Sequence, residues 1–289
     1  MKLRGKAMAC GAGTVINAIA TYKGAAFAID LKTIAEVELS DEYRDIKGII
    51  SEDGDSKLIE RCVELVLEEF ELENKYGARI KTQSEVPIAR GLKSSSAAAN
   101  ATILAALSAL ERELDALDAI KLGVRAAKEA GVTITGAFDD ACASYLGGLV
   151  ITDNRENVLI KRLEYEGVAL IYVPEKLAFT KDVDVKKIKT IAPYIEMAFD
   201  LALKGDFEKA MTLNGLLYCS ALGYDPTPII NALENGARAA GLSGKGPALI
   251  ALATEEKIES IRECWGSLPG RIITSRVNNT GAMVLPCEG

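Results

Sequence analysis

Three consecutive serines, Ser94, Ser95 and Ser96, follow Gly91 and lead into an alanine-rich apolar run that reaches Leu110. Serine hydroxyls ahead of strong helix formers mark a helix start. Such a start presents free N–H groups and the positive end of the helix dipole, which together attract anions and phosphate above all. The same stretch also reads as a capped core helix behind a glycine turn, so its chemistry depends on partners elsewhere. A second glycine loop, Gly241-Leu242-Ser243-Gly244-Lys245-Gly246-Pro247, lets backbone approach a ligand closely and adds the charge of Lys245. Glu129 closes one predicted helix, and Asp139 and Asp140 open the next. Carboxylates so placed can hold Mg²⁺ and orient an attacking hydroxyl. Lys6 stands early, between glycine and small residues. Taken singly, each is an ordinary capping or solvated residue. Jointly they describe phosphoryl transfer. Neither loop is a Walker A, and Gly11 and Gly13 do not complete a dinucleotide fingerprint.

Composition narrows the classes. The 289 residues are 49% hydrophobic and 26% charged, the balance of a globular protein with a large core, and the length favours two domains. A net charge of −7 argues against a nucleic-acid partner, which calls for a basic face. Anions must then be held by local donors, in loops and at helix ends. There is no histidine, which removes Ser-His-Asp and Cys-His catalysis and leaves acid–base work to Asp, Glu or Lys. Six scattered cysteines without a C-x-x-C pair read as buried thiols of a reducing compartment. No apolar run is long enough to span a membrane and the N-terminus is a poor signal peptide, so a cytoplasmic protein is expected, with no membrane partner.

Periodicity places these residues on elements. Strands are expected at 25–31 and 33–39, with turns at Gly5-Lys6 and 11–14, a charged surface loop at 41–56, an amphipathic helix at 58–72 and a strand at 78–83. Beyond the serine helix come a helix at 116–130 closed by Gly131, a short stretch at 132–135, a short helix from Asp140 and a strand at 149–152. The polar run 153–157 is the candidate linker, dividing the chain into 1–153 and 154–289. The second half reads as a strand at 168–173, helices at 188–203 and 207–222, and a third helix opening at Pro226 and ending in 239–247. A strand at 248–253, a helix at 255–265 and a strand at 271–277 follow. This is an α+β chain with mostly antiparallel sheet.

The string Pro87-x-x-x-Gly91-Leu92-x-Ser94-Ser95-Ser96-Ala97 closely resembles the central motif of the GHMP family of small-molecule kinases, and 241–247 resembles its third motif. Lys2 to Gly13 stands where the first motif belongs, so the resemblance covers essentially the whole chain. Within the family, 91–100 and 135–141 are most similar to the archaeal-type shikimate kinases. The resemblance implies a two-domain GHMP kinase fold, with a ribosomal-protein-like N-terminal domain, a ferredoxin-like C-terminal domain and ATP between them. It implies Mg²⁺ and ATP as cofactors and shikimate as the acceptor. By position it assigns the catalytic aspartate to Asp140, with Asp139 one register away, and its lysine partner to Lys6. Glu129 and a serine, Ser95 or Ser96, become the Mg²⁺ ligands, and Arg90, Gly91, Leu92, Lys93, Ser94–Ser96, Ala97, Gly244 and Lys245 the nucleotide site. The acceptor's carboxylate calls for a cation, with Arg271, Arg276 and Arg90 as candidates, and Thr14 and Asn17 stand near its hydroxyls. The adenine pocket is assigned to 41–56 from position alone. One departure is Gly11-Ala12-Gly13, where mevalonate and galactose kinases read Gly-Glu-His. Homoserine kinases typically lack an acid at the Asp140 position. Other acceptors (homoserine, mevalonate, a sugar), a decarboxylating lyase and a nucleotide sensor are the competing readings.

Overall fold

The computed structural model describes residues 2–50, 55–133, 136–175 and 184–287. Two long strands, β1 (Lys2–Ile16) and β2 (Lys23–Ser40), pair antiparallel and form the spine of the first sheet. Next along the chain come β3 (Ile46–Ile50), α1 (Lys57–Glu69), β4 (Gly77–Ser84), α2 (Ser94–Leu110), α3 (Ala116–Glu129) and α4 (Phe138–Leu146). The hairpin β5 (Leu149–Asp153) and β6 (Val158–Leu163) extends the sheet from β2, and β11 (Met283–Leu285) returns to pair with β1. Of the pairings, β3 with β4 is parallel.

Where turns were expected at Gly5 and 11–14, β1 runs straight through, and the two strands expected at 25–31 and 33–39 are one. The glycines serve close packing instead. A Cβ on Gly5 would lie 2.0 Å from the Ala105 carbonyl oxygen, so only glycine lets α2 sit on β1 there. The loop expected at 41–56 contains β3.

The second half holds β7 (Val168–Pro174), α5 (Val185–Lys189), α6 (Ala192–Leu203), α7 (Phe207–Leu222), α8 (Thr227–Glu234), β8 (Ala239–Leu242), β9 (Leu249–Ala253), α9 (Ile258–Trp265) and β10 (Gly270–Arg276). Its four strands are ordered β10-β7-β9-β8, all antiparallel. Ala239–Leu242, expected as a helix end, is a fully buried strand; packing against β9 overrides the helix propensity of its alanines. The polar run expected as a linker lies within the first sheet. The first sheet keeps the chain through β6 to Leu163 and takes it back at β11, because 154–157 is a hairpin turn. One apolar cluster runs through both halves, joining Val15, Ile16 and Phe27 to Ile171, Tyr218 and Ile250. The seam between the sheets is therefore a core, and the cleft opens along it.

Candidate active site

Helix α2 begins at Ser94, with Lys93 in the N-cap position at φ 66° and no side chain capping it. The serines thus occupy the first three helical positions rather than the cap. A left-handed Lys93 takes the turn itself, and its carbonyl accepts the first helical bond from the Ala97 N–H at 3.1 Å. The N–H groups of Ser94, Ser95 and Ser96 have no acceptor within the helix and face a cleft of about 1000 Å³. No acidic residue stands in this first turn. The site is thus electrostatically open to an anion.

The two glycine loops touch each other. The Ser243 hydroxyl donates to the Gly91 carbonyl at 2.8 Å and the Ala248 N–H to the Arg90 carbonyl at 3.2 Å. Gly91, at φ 85°, would carry a Cβ 2.1 Å from the Ser243 carbonyl oxygen, so no other residue fits. On its far side the loop is pinned to β1, where the Ala12 N–H donates to the Leu92 carbonyl at 3.2 Å. Gly244 is held from β1 in turn: its N–H donates to Thr14 Oγ1 at 2.9 Å, and its carbonyl accepts from Asn17 Nδ2 at 2.7 Å.

Helix α4 starts at Phe138, so both aspartates fall in its first turn at the cleft wall, buried. Asp140 Oδ1 lies 3.0 Å from Lys93 Nζ, and both side chains are nearly inaccessible. Asp139 is held by Asn154: Nδ2 donates to Asp139 Oδ1 at 2.7 Å, and Asn154 Oδ1 accepts from the Asp139 N–H at 3.1 Å. The Thr152 hydroxyl fixes that amide's orientation by donating to the same oxygen at 2.7 Å. Burial, and then the Asp140 charge, push the Asp139 carboxyl up to about 7. Lys245, half-buried in the same cleft, is pushed down to about 8 by burial and then by Lys93.

Several expected residues stand elsewhere. Lys6 does not meet Asp140; it lies opposite Glu36 in the β1–β2 register and pairs with it at 2.7 Å. The lysine beside Asp140 is Lys93. Glu129 is exposed on the outer end of α3, where Arg61 and Arg125 hold its carboxylate below the usual range, and it is absent from the cleft wall. Arg276 pairs with Glu255 and Arg271 is exposed on the edge strand β10. The Arg90 guanidinium donates to the Pro174 carbonyl. Leu92 and Ala97 are core residues, and Thr14 is a buried support of the Gly244 loop rather than a cleft group. Asn17 does line the cleft, with its amide engaged by Gly244. Of the loop at 41–56, Asp55 lines the cleft while 51–54 lie outside the described residues, as do Ile134 and Thr135. Asn154 escaped the sequence reading because it sits in a polar run that looked like a linker. Among the described residues no group of three metal-binding acids occurs.

An uncapped helix start, two interlocked glycine loops and a buried lysine–aspartate pair on one cleft define a small-molecule kinase that uses ATP. Family models agree: the GHMP kinases N terminal domain matches residues 57–148, and the GHMP kinases C terminal matches 198–269. The chain belongs to the GHMP kinases. It is 57% identical to a shikimate kinase from Methanosarcina mazei, over all of this chain and 99% of that protein. A shikimate kinase from Methanothermobacter thermautotrophicus is 43% identical over 95% of this chain and 96% of that one. In fold, the chain is similar to a homoserine kinase from Cytophaga hutchinsonii, with a TM-score of 0.76 at 21% identity, covering 99% of this chain and 98% of that one. A mevalonate kinase from Methanococcus jannaschii gives 0.75 at 22% identity, covering 96% and 98%. At such identities the likeness shows the fold. No helix among the described residues is long and apolar enough to cross a membrane.

Proposed function

We propose that this kinase transfers the γ-phosphoryl group of ATP to a hydroxyl of shikimate, giving shikimate 3-phosphate in the cytoplasm. The observation that carries the chemistry is the buried Lys93–Asp140 pair beside the uncapped start of α2. The acceptor is drawn from the shikimate kinases that match the chain end to end.

The N–H groups of Ser94–Ser96 receive the nucleotide's phosphates. Asp140 accepts or orients the proton of the acceptor hydroxyl, whose oxygen attacks the γ-phosphorus while the bond to the ADP oxygen breaks and ADP leaves with its electron pair. Lys93 holds Asp140 in place and offsets charge that develops on the transferred group. Most of the barrier reduction in such transfers comes from positioning and charge stabilisation, so Asp140 need not be a strong base. Mg²⁺ fits the donor set without Glu129, because it typically takes one or two carboxylates together with substrate phosphates. Asp139 or Asp140 and the hydroxyls of Ser95 and Ser96 are the cleft groups that would hold it. When bound, it neutralises phosphate charge.

Coupled ADP release with Mg-ATP, run side by side on shikimate, homoserine and mevalonate, tests this reading. Turnover on shikimate alone is expected. Turnover confined to one of the other alcohols would discard the acceptor.

A further inference from the structure

Asp140 stands in the first turn of α4, and Ala137, at the cap position, has no side-chain oxygen to offer that turn. A capping oxygen ordinarily belongs to the residue just before the helix and accepts from the second or third helical N–H. In α4 the second helical N–H is that of Asp139, and Asn154 Oδ1 accepts it at 3.1 Å. The cap is thus supplied from the β5–β6 turn, a distant part of the chain. Resting on the phosphoryl-transfer reading above, with Asp140 as its acid, we propose that Asn154 is a positioning residue: by capping α4 from another element it sets Asp140 relative to the cleft wall of the β1–β2 turn.

Asn154 is buried and held on every side that matters to this bond. The Thr152 hydroxyl donates to the same Oδ1 at 2.7 Å, which leaves Nδ2 turned to Asp139 Oδ1, also at 2.7 Å. On the other side of that carboxyl lies β2, where a Cβ on Gly24 would fall 2.6 Å from Asp139 Cγ. Asp139 is therefore clamped between Asn154 and Gly24, and the next residue, Asp140, reaches toward Lys93. The Asn154 main chain makes a second tie: its N–H donates to the Tyr22 carbonyl at 2.8 Å. The Tyr22 N–H in turn donates to the Ala18 carbonyl at 2.8 Å, closing the turn whose Asn17, Ala18 and Ile19 line the cleft. One residue thus fastens the start of α4 and this stretch of wall to a single point. Phosphoryl transfer is sensitive to such spacing, since its barrier falls mainly through positioning. The body of α4 has separate support from α2, where Asn100 Nδ2 donates to the Ala141 carbonyl at 2.9 Å. Removing the cap should therefore loosen the first turn and leave the helix docked.

Asn154→Ala, Asp140→Asn and the double variant are assayed for ADP release with Mg-ATP and shikimate, each beside its thermal unfolding curve. The wild type and Asp140→Asn check the parent reading by themselves: an inactive wild type, or full turnover by Asp140→Asn, fells that reading and this inference with it. We expect Asn154→Ala to lose about tenfold in kcat, less than the roughly 10² that a misplacement of about 1 Å can cost. KM for ATP and for shikimate should stay at wild-type values, because the main-chain tie to Tyr22 survives the substitution. In the Asp140→Asn background the same change should cost little, since both act on one group. The inference is overturned by wild-type kcat in Asn154→Ala, by equal losses in both backgrounds, or by a rise in KM in place of the fall in kcat. Each of these would leave Asn154 a support of the fold alone. If Asn154→Ala does not fold, Thr152→Val removes just the donor that orients the amide. Its kcat should then fall by a smaller factor at unchanged KM, and wild-type kcat there would overturn the inference.

Discussion

The cleft wall and the outer face of α1 and α3 carry similar charges in different surroundings. On the outer face Arg61 reaches Glu64, Glu68 and Glu129, and Arg125 reaches Glu129, all partly or well exposed. In the cleft, Asp139 and Asp140 are buried and the Lys93 side chain is nearly so, and each is fixed by named partners. Water screens the first group, so its pairs contribute little. The second group keeps its field: the Asp139 carboxyl is pushed upward and its donors are oriented. Acidic residues at helix ends are common to both regions. Burial separates them.

Perturbing the buried group should have the larger consequences. Lys93→Met leaves Asp140 buried without its cation, a situation that costs about 3–5 kcal/mol in stability. It should also lower kcat by roughly 10² or more, as for loss of one preorganised electrostatic group. Thermal unfolding and ADP release report the two effects. Asn154→Leu should act more mildly and in a pH-dependent way. Asn154 donates to the Asp139 carboxylate and so favours its charged form, and its removal raises the Asp139 pKa further. The acid limb of the pH–kcat profile then moves to higher pH, and a limb that stays in place would remove Asp139 from the reaction.

Asp139 also leaves a mark on stability. Its folded pKa, about 7, lies above an unfolded value of about 3.9, so the native chain keeps a proton that the unfolded chain releases. Native stability is therefore lost as pH climbs through that window. Asp139→Asn cannot titrate, and its melting temperature should gain on the wild type between pH 5 and pH 8. A constant difference would mean that Asp139 is not held above its ordinary pKa. Lys6→Met, at the other extreme, removes a cross-strand pair with Glu36 and should leave turnover unchanged.

The sequence made the elements plainer than the partners. Helix α2, the start of α3 and strands β4, β5, β7 and β9 follow from periodicity, since each buries one face or both along its length. Both glycine loops and both aspartates were legible as chemistry because residue type and spacing carry that signal. Lys6 and Lys93 were not separable in the same way. Each is a lysine beside a glycine-containing run, and only the left-handed turn at Lys93 brings its ammonium to Asp140. Glycines 5, 11 and 13 likewise have two uses, turning and close approach, that look identical in a string of letters. Glu129 closes α3, the helix before the aspartates, yet pairs with Arg61 of α1 in space.

The central claim is that the buried acid, not the exposed one, carries the reaction. Asp140→Asn and Glu129→Gln, assayed together for Mg-ATP-dependent ADP release on shikimate, test it most directly. We predict that Asp140→Asn loses roughly 10² or more in kcat, the cost of a missing proton acceptor, while Glu129→Gln matches the wild type. A Glu129→Gln enzyme that is dead beside an active Asp140→Asn enzyme would contradict the account.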